Sequence, residues 1–422
     1  IFAHNDGDGE FGPDADQDII KCGGYTGTGV ANDLLETLDF EPQWMLVKRT
    51  DAASDWIIVD NMRGAVAGGD VYNIYANQSN AEVEVGSVAP DAVGIRSGNT
   101  AAWGESNASS GTYIYMAIRR GPLAPPEAAT EVFAVDTSGA TSPTPPRYTS
   151  GFPVDMALRK TVNTSSNWEL LTRAMQGTSL RPNDTNAEDT GSGADQFDYM
   201  DGYNYQTTVD SNQYSWMWKR APSYFDCVAY TGSGVAGRTV SHNLGVVPEM
   251  MWVKRRNSTG HWYVYHTGMT GGSDALHSTA RLNLNEAGFN TQSWKNYDFT
   301  TAHFSLDNAA DINGSGGTYI AYLFATLAGV SKVGSVTHSG TTNVDCGFSA
   351  GSRFVMLKRT DATGDWYVWD SVRGIIAGND PYLLLNSTAA EVTNTDYIDP
   401  LSSGFTISDA FTDGDYIFYA IA

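Results

Sequence analysis

The chain has 422 residues, with 11 Trp, 22 Tyr, 16 Phe and 44 Gly, only 17% charged residues, and a formal charge of −23. That acidity argues against nucleic-acid binding, because a phosphate backbone is held by a basic surface. No run approaches the ~18 continuous apolar residues of a spanning helix, so no membrane insertion is expected. The length is too great for one ordinary domain and suits three or four. Abundant aromatics, Gly, Thr, Ser and Asn predict an all-β protein.

The chain opens on IFAH (Ile1 to His4), which matches LFAT (Leu323 to Thr326) far downstream. The numbering is therefore expected to start inside a longer polypeptide, just after another repeat. The acid-rich stretch His4 to Asp18 follows, and Asp6, Asp8, Glu10 and Asp14 are its candidate Ca²⁺ ligands. It departs from an EF-hand loop, with Phe11 where the invariant Gly belongs and Glu10 where Asp or Asn is usual. An acidic turn between repeats is the competing reading.

One script then runs through the chain four times: a Lys near the end of an apolar strand, a polar turn, and a Trp opening the next strand. The copies are QWMLVKRTDAASDWIIVD (Gln43 to Asp60), MALRKTVNTSSNWELL (Met156 to Leu171), MMWVKRRNSTGHWYVY (Met250 to Tyr265) and FVMLKRTDATGDWYVWD (Phe354 to Asp370). In each, the Trp falls eight positions after the Lys: Lys48/Trp56, Lys160/Trp168, Lys254/Trp262 and Lys358/Trp366. A period of about 100 residues far exceeds solenoid repeats and makes each copy a small domain. The expected divisions are residues 1–11, the end of a preceding repeat, then units at 12–121, 122–221, 222–327 and 328–422. The second is the divergent one. The Lys–Trp pairs are expected to be framework, with Trp anchoring the core of its own unit and Lys lying along it.

Each unit ends on an aromatic strand, such as TYIYMAI (Thr112 to Ile118) and DYIFYAI (Asp415 to Ile421). These strands are apolar on both faces, so both must be covered: one by the sandwich, the other by a loop, a neighbouring repeat or another chain. Short strands separated by turn clusters such as YTGTG and SVRGIIAGND predict β-sandwiches of jelly-roll or concanavalin-like kind. LLETLDF (Leu34 to Phe40) is too short for an amphipathic helix. The one stiff linker is GPLAPPEAAT (Gly121 to Thr130); the other junctions are tight, and a rigid rod of units is expected.

Chemistry is sparse. Unit 2 carries a polar stretch from Arg181 to Thr208, and its Tyr199, Tyr203 and Tyr205 are the candidate ligand-binding residues, since Tyr supplies contact area at low entropic cost. Asp60 and Arg63 recur as Asp370 and Arg373, spaced for an ion pair that fixes a turn. Glu82 and Glu84 alternate on a strand, without the further carboxylate that a glycosidase needs at about 5–5.5 Å. Cys22 and Cys227 hold matching places in two units and read as small buried hydrophobes, and three widely spaced cysteines form no disulfide framework. Asn-x-Ser/Thr triplets such as Asn77 and Asn386 are expected in so Asn- and Ser-rich a chain. No catalytic residue is expected, and no cofactor beyond the candidate Ca²⁺.

The phrases TVSHNLGVVPEMMWVKRR (Thr239 to Arg256), TYIAYLFATLAGVSKVGSV (Thr318 to Val336) and DWYVWDSVRGIIAGNDPYLLLNSTAAEV (Asp365 to Val392) resemble a tandem repeat of tail-fibre-like and receptor-binding virion proteins of tailed bacteriophages. The resemblance touches all four units and is loosest in the second. It implies a non-enzymatic virion protein on the particle surface, a tail fibre or tail-tip adhesin. Its implied partners are other virion proteins, further copies of itself (a trimer by analogy with phage fibres) and a host surface glycan. A purely architectural role, as capsid decoration or fibre shaft, is the alternative it leaves open. The resemblance brings no active-site residue with it.

Overall fold

The computed structural model describes residues 2, 11–12, 15–65, 71–99, 104–137, 145–175, 177–189, 195–205, 210–269, 276, 278–290, 293–294 and 298–422. Strands dominate, with one helical turn at Ala310–Asn313 and 3₁₀ turns at Ala129–Glu131 and Arg173–Met175. The chain is an all-β tandem array of four β-sandwiches.

One sheet order recurs in every unit: opening strand, end strand, lysine strand, tryptophan strand, all antiparallel. In unit 1 these are Ile20–Thr26, Thr112–Arg119, Pro42–Arg49 and Trp56–Asp60, extended by Val71–Tyr75 and Val83–Val85. Unit 2 uses Phe133–Thr137, Gln213–Trp218, Met156–Thr161 and Glu169–Thr172. Unit 3 uses Phe225–Thr231, Thr318–Phe324, Met250–Arg255 and Tyr263–His266. Unit 4 uses Ser331–His338, Gly414–Ile421, Phe354–Arg359 and Trp366–Asp370. First and last strands of a unit thus pair with each other, so each module closes on itself. The stretch read as too short for a helix contributes a strand, Leu34–Thr37. It belongs to the smaller second sheet, which each unit lays across one face of the first.

Side-chain alternation divides each large sheet between two environments. In unit 1, Met45, Val47, Ile57, Val59, Tyr113, Tyr115 and Ala117 point into the sandwich and are buried. The corresponding inward sets are Ala157, Leu171 and Met217 in unit 2, Met251, Val253 and Ala321 in unit 3, and Val355, Leu357 and Ala420 in unit 4. Lys48 lies directly opposite Trp56 in the hairpin, and Lys358 opposite Trp366, so each pair stands on the other, outward face.

That outward face is where units 2, 3 and 4 meet. Trp168, Trp216 and Trp218 of unit 2, Trp252, Trp262, Tyr322 and Phe324 of unit 3, and Phe354, Trp366 and Tyr419 of unit 4 share one continuous buried cluster. Aromatic rings pack across the boundaries, with Trp218 edge-on to Phe354 at 5.6 Å and Phe324 against Tyr419 at 5.0 Å. This corrects two expectations. The script tryptophans do not anchor the core of their own sandwich, because their strand position turns them away from it. Nor do these three units form a rod: each puts its large sheet against the other two, which is what covers both faces of the aromatic end strands.

Candidate functional site

The joints between units 2, 3 and 4 are built from the recurring script. A polar turn ends the lysine strand, and the Trp after it has its backbone N–H held by an Asn side-chain oxygen: Asn183 for Trp168 at 2.8 Å, Asn283 for Trp262 at 3.1 Å and Asn386 for Trp366 at 2.9 Å. With its backbone fixed, each indole projects into the next unit. Trp168 Nε1–H donates to the Leu384 carbonyl of unit 4 at 2.9 Å, Trp366 to the Arg281 carbonyl of unit 3 at 3.0 Å, and Trp262 to the Arg181 carbonyl of unit 2 at 2.9 Å. The direction runs from 2 to 4, 4 to 3 and 3 to 2, so the contacts close on themselves as a ring.

Each lysine makes the same crossing. Lys160 reaches the Thr388 carbonyl (3.3 Å), Lys254 the Thr185 carbonyl (3.4 Å) and Lys358 the Glu286 carbonyl (2.6 Å). Backbone bonds flank them in matching places: Ser166, Gly260 and Gly364 donate outward to Thr388, Thr185 and Asn285 respectively, while Glu188, Glu391 and Gly288 donate back to Arg256, Val162 and Thr360. Burial pushes all three ammonium groups down to about 8. Lys160 and Lys358 also sit over their own Trp rings, at 5.7 and 5.9 Å.

Among the described residues, Lys48 and Trp56 of unit 1 have no such counterpart across a joint. Trp56 is 36% exposed, whereas Trp168, Trp262 and Trp366 are wholly inaccessible.

The three candidate tyrosines occupy three environments. Tyr203 is fully buried in the sandwich core of unit 2, stacked on Tyr148 and Phe197 with its hydroxyl at 2.9 Å from Ser215, and is closed to a ligand. It sits on an inward position of Gly202–Tyr205, a real strand of the second sheet rather than a loop. Tyr205 is half-buried beneath the Arg159 guanidinium, 3.7 Å from its ring centre, and Tyr199 is half-buried beside exposed Asp198 and Met200. They do not form one exposed patch. Asp6, Asp8, Glu10 and Asp14 lie outside the described residues. Among the described residues no cluster of three or more His, Cys, Asp or Glu side chains comes together to hold a metal ion.

Asp60–Arg63 and Asp370–Arg373 are ion pairs at 2.7 and 2.6 Å. The second is buried rather than exposed: Asp370 also accepts Trp216 Nε1–H across the unit 2–unit 4 boundary at 2.9 Å, and Arg373 reaches Glu391 at 2.8 Å. Glu82 lies 3.6 Å from Arg63. Cys227 and Cys346 are buried thiols and Cys22 is half-buried; none forms a disulfide.

Unit 1 attaches to the ring through a buried charge cluster. Glu41 takes both Arg220 guanidinium arms (2.8 and 2.6 Å) and Asn243 Nδ2 (2.9 Å), with Arg120 at 3.2 Å. Arg220 in turn holds Asp226 at 2.5 Å. Burial alone would raise Glu41, but Arg220 and Arg120 outweigh it and hold the carboxyl at about 2. Beside this cluster, units 1 and 3 enclose a cleft of about 510 Å³ lined by Asp33, Asp91, Arg96, Ser233, Arg238 and Ser241, among others. Arg96 is neutralised by Asp91 at 2.6 Å. Arg238 is not: its Nε is buried without a hydrogen-bond partner, and burial together with the Arg96 charge depresses its pKa. The cleft wall thus carries a guanidinium that no carboxylate pairs at ion-pair distance among the described residues, set among hydroxyl and carboxylate groups. That arrangement suits an anionic or hydroxyl-rich ligand.

A family model described as a domain of unknown function, DUF7483, matches residues 17–122 and 135–422. The chain belongs to this family. A search of curated proteins returns no match to it. The DUF7483 match covers all four sandwiches, and its gap falls on the Pro-rich connection between units 1 and 2.

Two features of this DUF7483 chain escaped the sequence reading. One is the acceptor half of each joint: RPNDTNAE (from Arg181), RLNLNEAG (from Arg281) and LLNSTAAE (from Leu384), matched in unit 1 by YANQSNAE (from Tyr75). Its signal is the Asn two places in, at Asn77, Asn183, Asn283 and Asn386, two of which read in the sequence only as members of common triplets. The other is the charge cluster, foreshadowed by basic pairs after two end strands, Arg119–Arg120 and Lys219–Arg220.

Proposed function

We propose that the chain is a non-enzymatic surface component of a phage particle, an adhesin that presents the unit 1–unit 3 cleft to a host surface glycan. The observation that carries the ligand half of this reading is Arg238: a guanidinium at the wall of a polar cleft, without an ion-pair partner among the described residues, is a charge left for an anionic ligand. The three-sandwich body supports the structural half, since it carries Arg238 to Ser241 of the cleft wall on a strand. The phage assignment rests on the resemblance of the repeat phrases.

A glycan array probed with the purified chain tests the ligand half. Acidic glycans should bind, and Arg238→Ala should weaken binding at least about tenfold, the usual loss for one charge-assisted contact. Binding unchanged by that substitution, or none to any glycan, sinks the adhesin reading. The unfilled face of unit 1 favours one second reading, a particle component whose work is assembly. Reconstruction of the intact particle separates the two: an adhesin has the cleft facing solvent, whereas an architectural subunit has it covered by a neighbour.

A further inference from the structure

Unit 1 carries both halves of the joint that closes the ring, and among the described residues neither is used. On the donor side, Lys48 Nζ holds the Ser54 carbonyl at 2.8 Å, as Lys160 holds Ser166 and Lys358 holds Gly364, both at 2.6 Å. The Trp56 backbone N–H is fixed by Asn77 at 2.9 Å, as in the three filled joints. On the acceptor side, the turn after Tyr75 is closed by Gln78 N–H to the Tyr75 carbonyl at 3.1 Å, matching the turns after Arg181, Arg281 and Leu384, each closed at 3.2 Å. NQSNAE of unit 1 also stands closest in sequence to NDTNAE of unit 2.

The face between these halves is apolar throughout: Trp44, Leu46, Trp56, Ile58, Ile114, Met116 and Ile118. By register, Ile114 corresponds to Ile320 and Ile417. Ile114 is 45% exposed, against 0% and 1% for the other two. An apolar sheet face of this size, built like three buried ones, is an interface without its partner.

The joint is head-to-tail, with a donor edge and an acceptor edge on the same unit. Such joints close only when the rotation per step divides a full turn, and units 2–4 show that this one closes after three steps. Those three units have spent their donors and acceptors on each other, so among the four units of this chain the one left to complement unit 1 is the unit 1 of another copy. We propose that unit 1 binds the first units of two further copies of this chain, closing a second ring and making the protein a threefold-symmetric trimer. In that ring Trp56 Nε1–H donates to the carbonyl of Tyr75 of the partner subunit. Lys48 and the Ser54 N–H reach the carbonyl of Ser79 of the partner subunit, and Thr50 accepts from the N–H of Glu82 of the partner subunit. The assembly is independent of what the cleft binds.

Sedimentation of the chain tests this, with a mass three times that of one chain expected. Trp56→Ala should reduce it to monomer while leaving the tryptophan fluorescence and thermal unfolding of units 2–4 in place, since Trp56 is not part of that core. In the filled joint between units 2 and 4, Ser165 Oγ lies 3.3 Å from Thr388 Oγ1. The matching positions of unit 1 are Ala53 and Ser79, so the double variant Ala53→Cys, Ser79→Cys should oxidise to covalent trimers on a non-reducing gel, while neither single variant does. A monomer would give this face to a different partner and overturns the proposal. So does a dimer or a tetramer, a trimer that survives Trp56→Ala, or a double variant that fails to cross-link although the wild type is trimeric.

Discussion

Units 2–4 and unit 1 share a sheet order, a Lys–turn–Trp hairpin and an Asn that fixes the Trp backbone, yet Trp168, Trp262 and Trp366 are inaccessible while Trp56 is 36% exposed. Position and chemistry of the side chain are the same; only the neighbour differs. The comparison separates what a sandwich needs in order to fold from what it needs in order to associate. The inward face, with Met45 and Val47 or Val355 and Leu357, is filled in both regions. The outward face is filled only where other units stand against it. A lysine recurring beside each tryptophan fits this division, because at about 8 its proton is held weakly once a joint closes around it.

The largest test of the comparison truncates the same residue in both regions. Trp262→Ala empties a fully buried site in the shared cluster and should destabilise the chain by about 3–5 kcal/mol in denaturant titration. Trp56→Ala, measured at a dilution where chains are separate, should cost under about 1 kcal/mol, as surface changes do. Equal effects would mean that the unit 1 face is covered within the chain. The repeated ion pair gives a second contrast. Asp370→Ala strands Arg373 and the Trp216 indole N–H inside the protein and should cost about 3 kcal/mol. Asp60→Ala removes a more exposed pair and two turn hydrogen bonds, worth about 1 kcal/mol together.

Acid sharpens the contrast further, because the position of Asp60 and Asp370 is occupied in unit 3 by His266. His266 is fully buried; its Nδ1 accepts the Gly268 N–H at 2.9 Å and its Nε2 lies 3.2 Å from the Phe418 carbonyl of unit 4. Burial pushes the imidazole down to about 4 from an ordinary 6.5, although the Phe418 carbonyl opposes the shift. Since the folded state binds its proton later than the unfolded state, stability is complete above pH 6.5. It then falls as pH drops through 6.5 toward 4, by about 3 kcal/mol in all. Unfolding midpoints measured from pH 7 to 4 should show this loss, and His266→Gln should remove most of it. A slope unchanged by that substitution would place the acid sensitivity elsewhere.

Much of the fold could be read because it repeats. Four copies of one hairpin located the lysine and tryptophan strands, and doubly apolar end strands required cover on both faces. What covers them was not readable, since alternation tells that Trp168 and Met217 face opposite ways but not which way is the inside of its own sandwich. Both faces of the large sheet are apolar, so the assignment of Trp to its own core had no polar face to correct it. Tyr203 failed for the opposite reason: Asn, Asp and Gly around it signal a loop, while a four-residue strand of the second sheet carries it inward. The cleft depends on Arg96 and Arg238, some 140 positions apart in two units, and only the docking of unit 1 brings them together.

The smallest effect reads the comparison most directly. Cys22 and Cys227 hold the same register position, opposite Met116 and Tyr322 on the outward face of their sheets. Burial pushes the Cys227 thiol up to about 12, with the Arg220 charge only partly opposing it, so at pH 8 it presents almost no thiolate. Cys227 and the similarly buried Cys346 should therefore resist a thiol reagent until the chain unfolds. Cys22 is half-buried on the unfilled face and should label in the native state. Its rate should depend on protein concentration, fast for separate chains and slow once the face is covered, and Trp56→Ala should abolish that dependence. A Cys22 that labels as slowly as Cys227 at every dilution would show that unit 1 is already sealed within a single chain. In that case the two regions would differ in what fills the joint, not in whether it is filled.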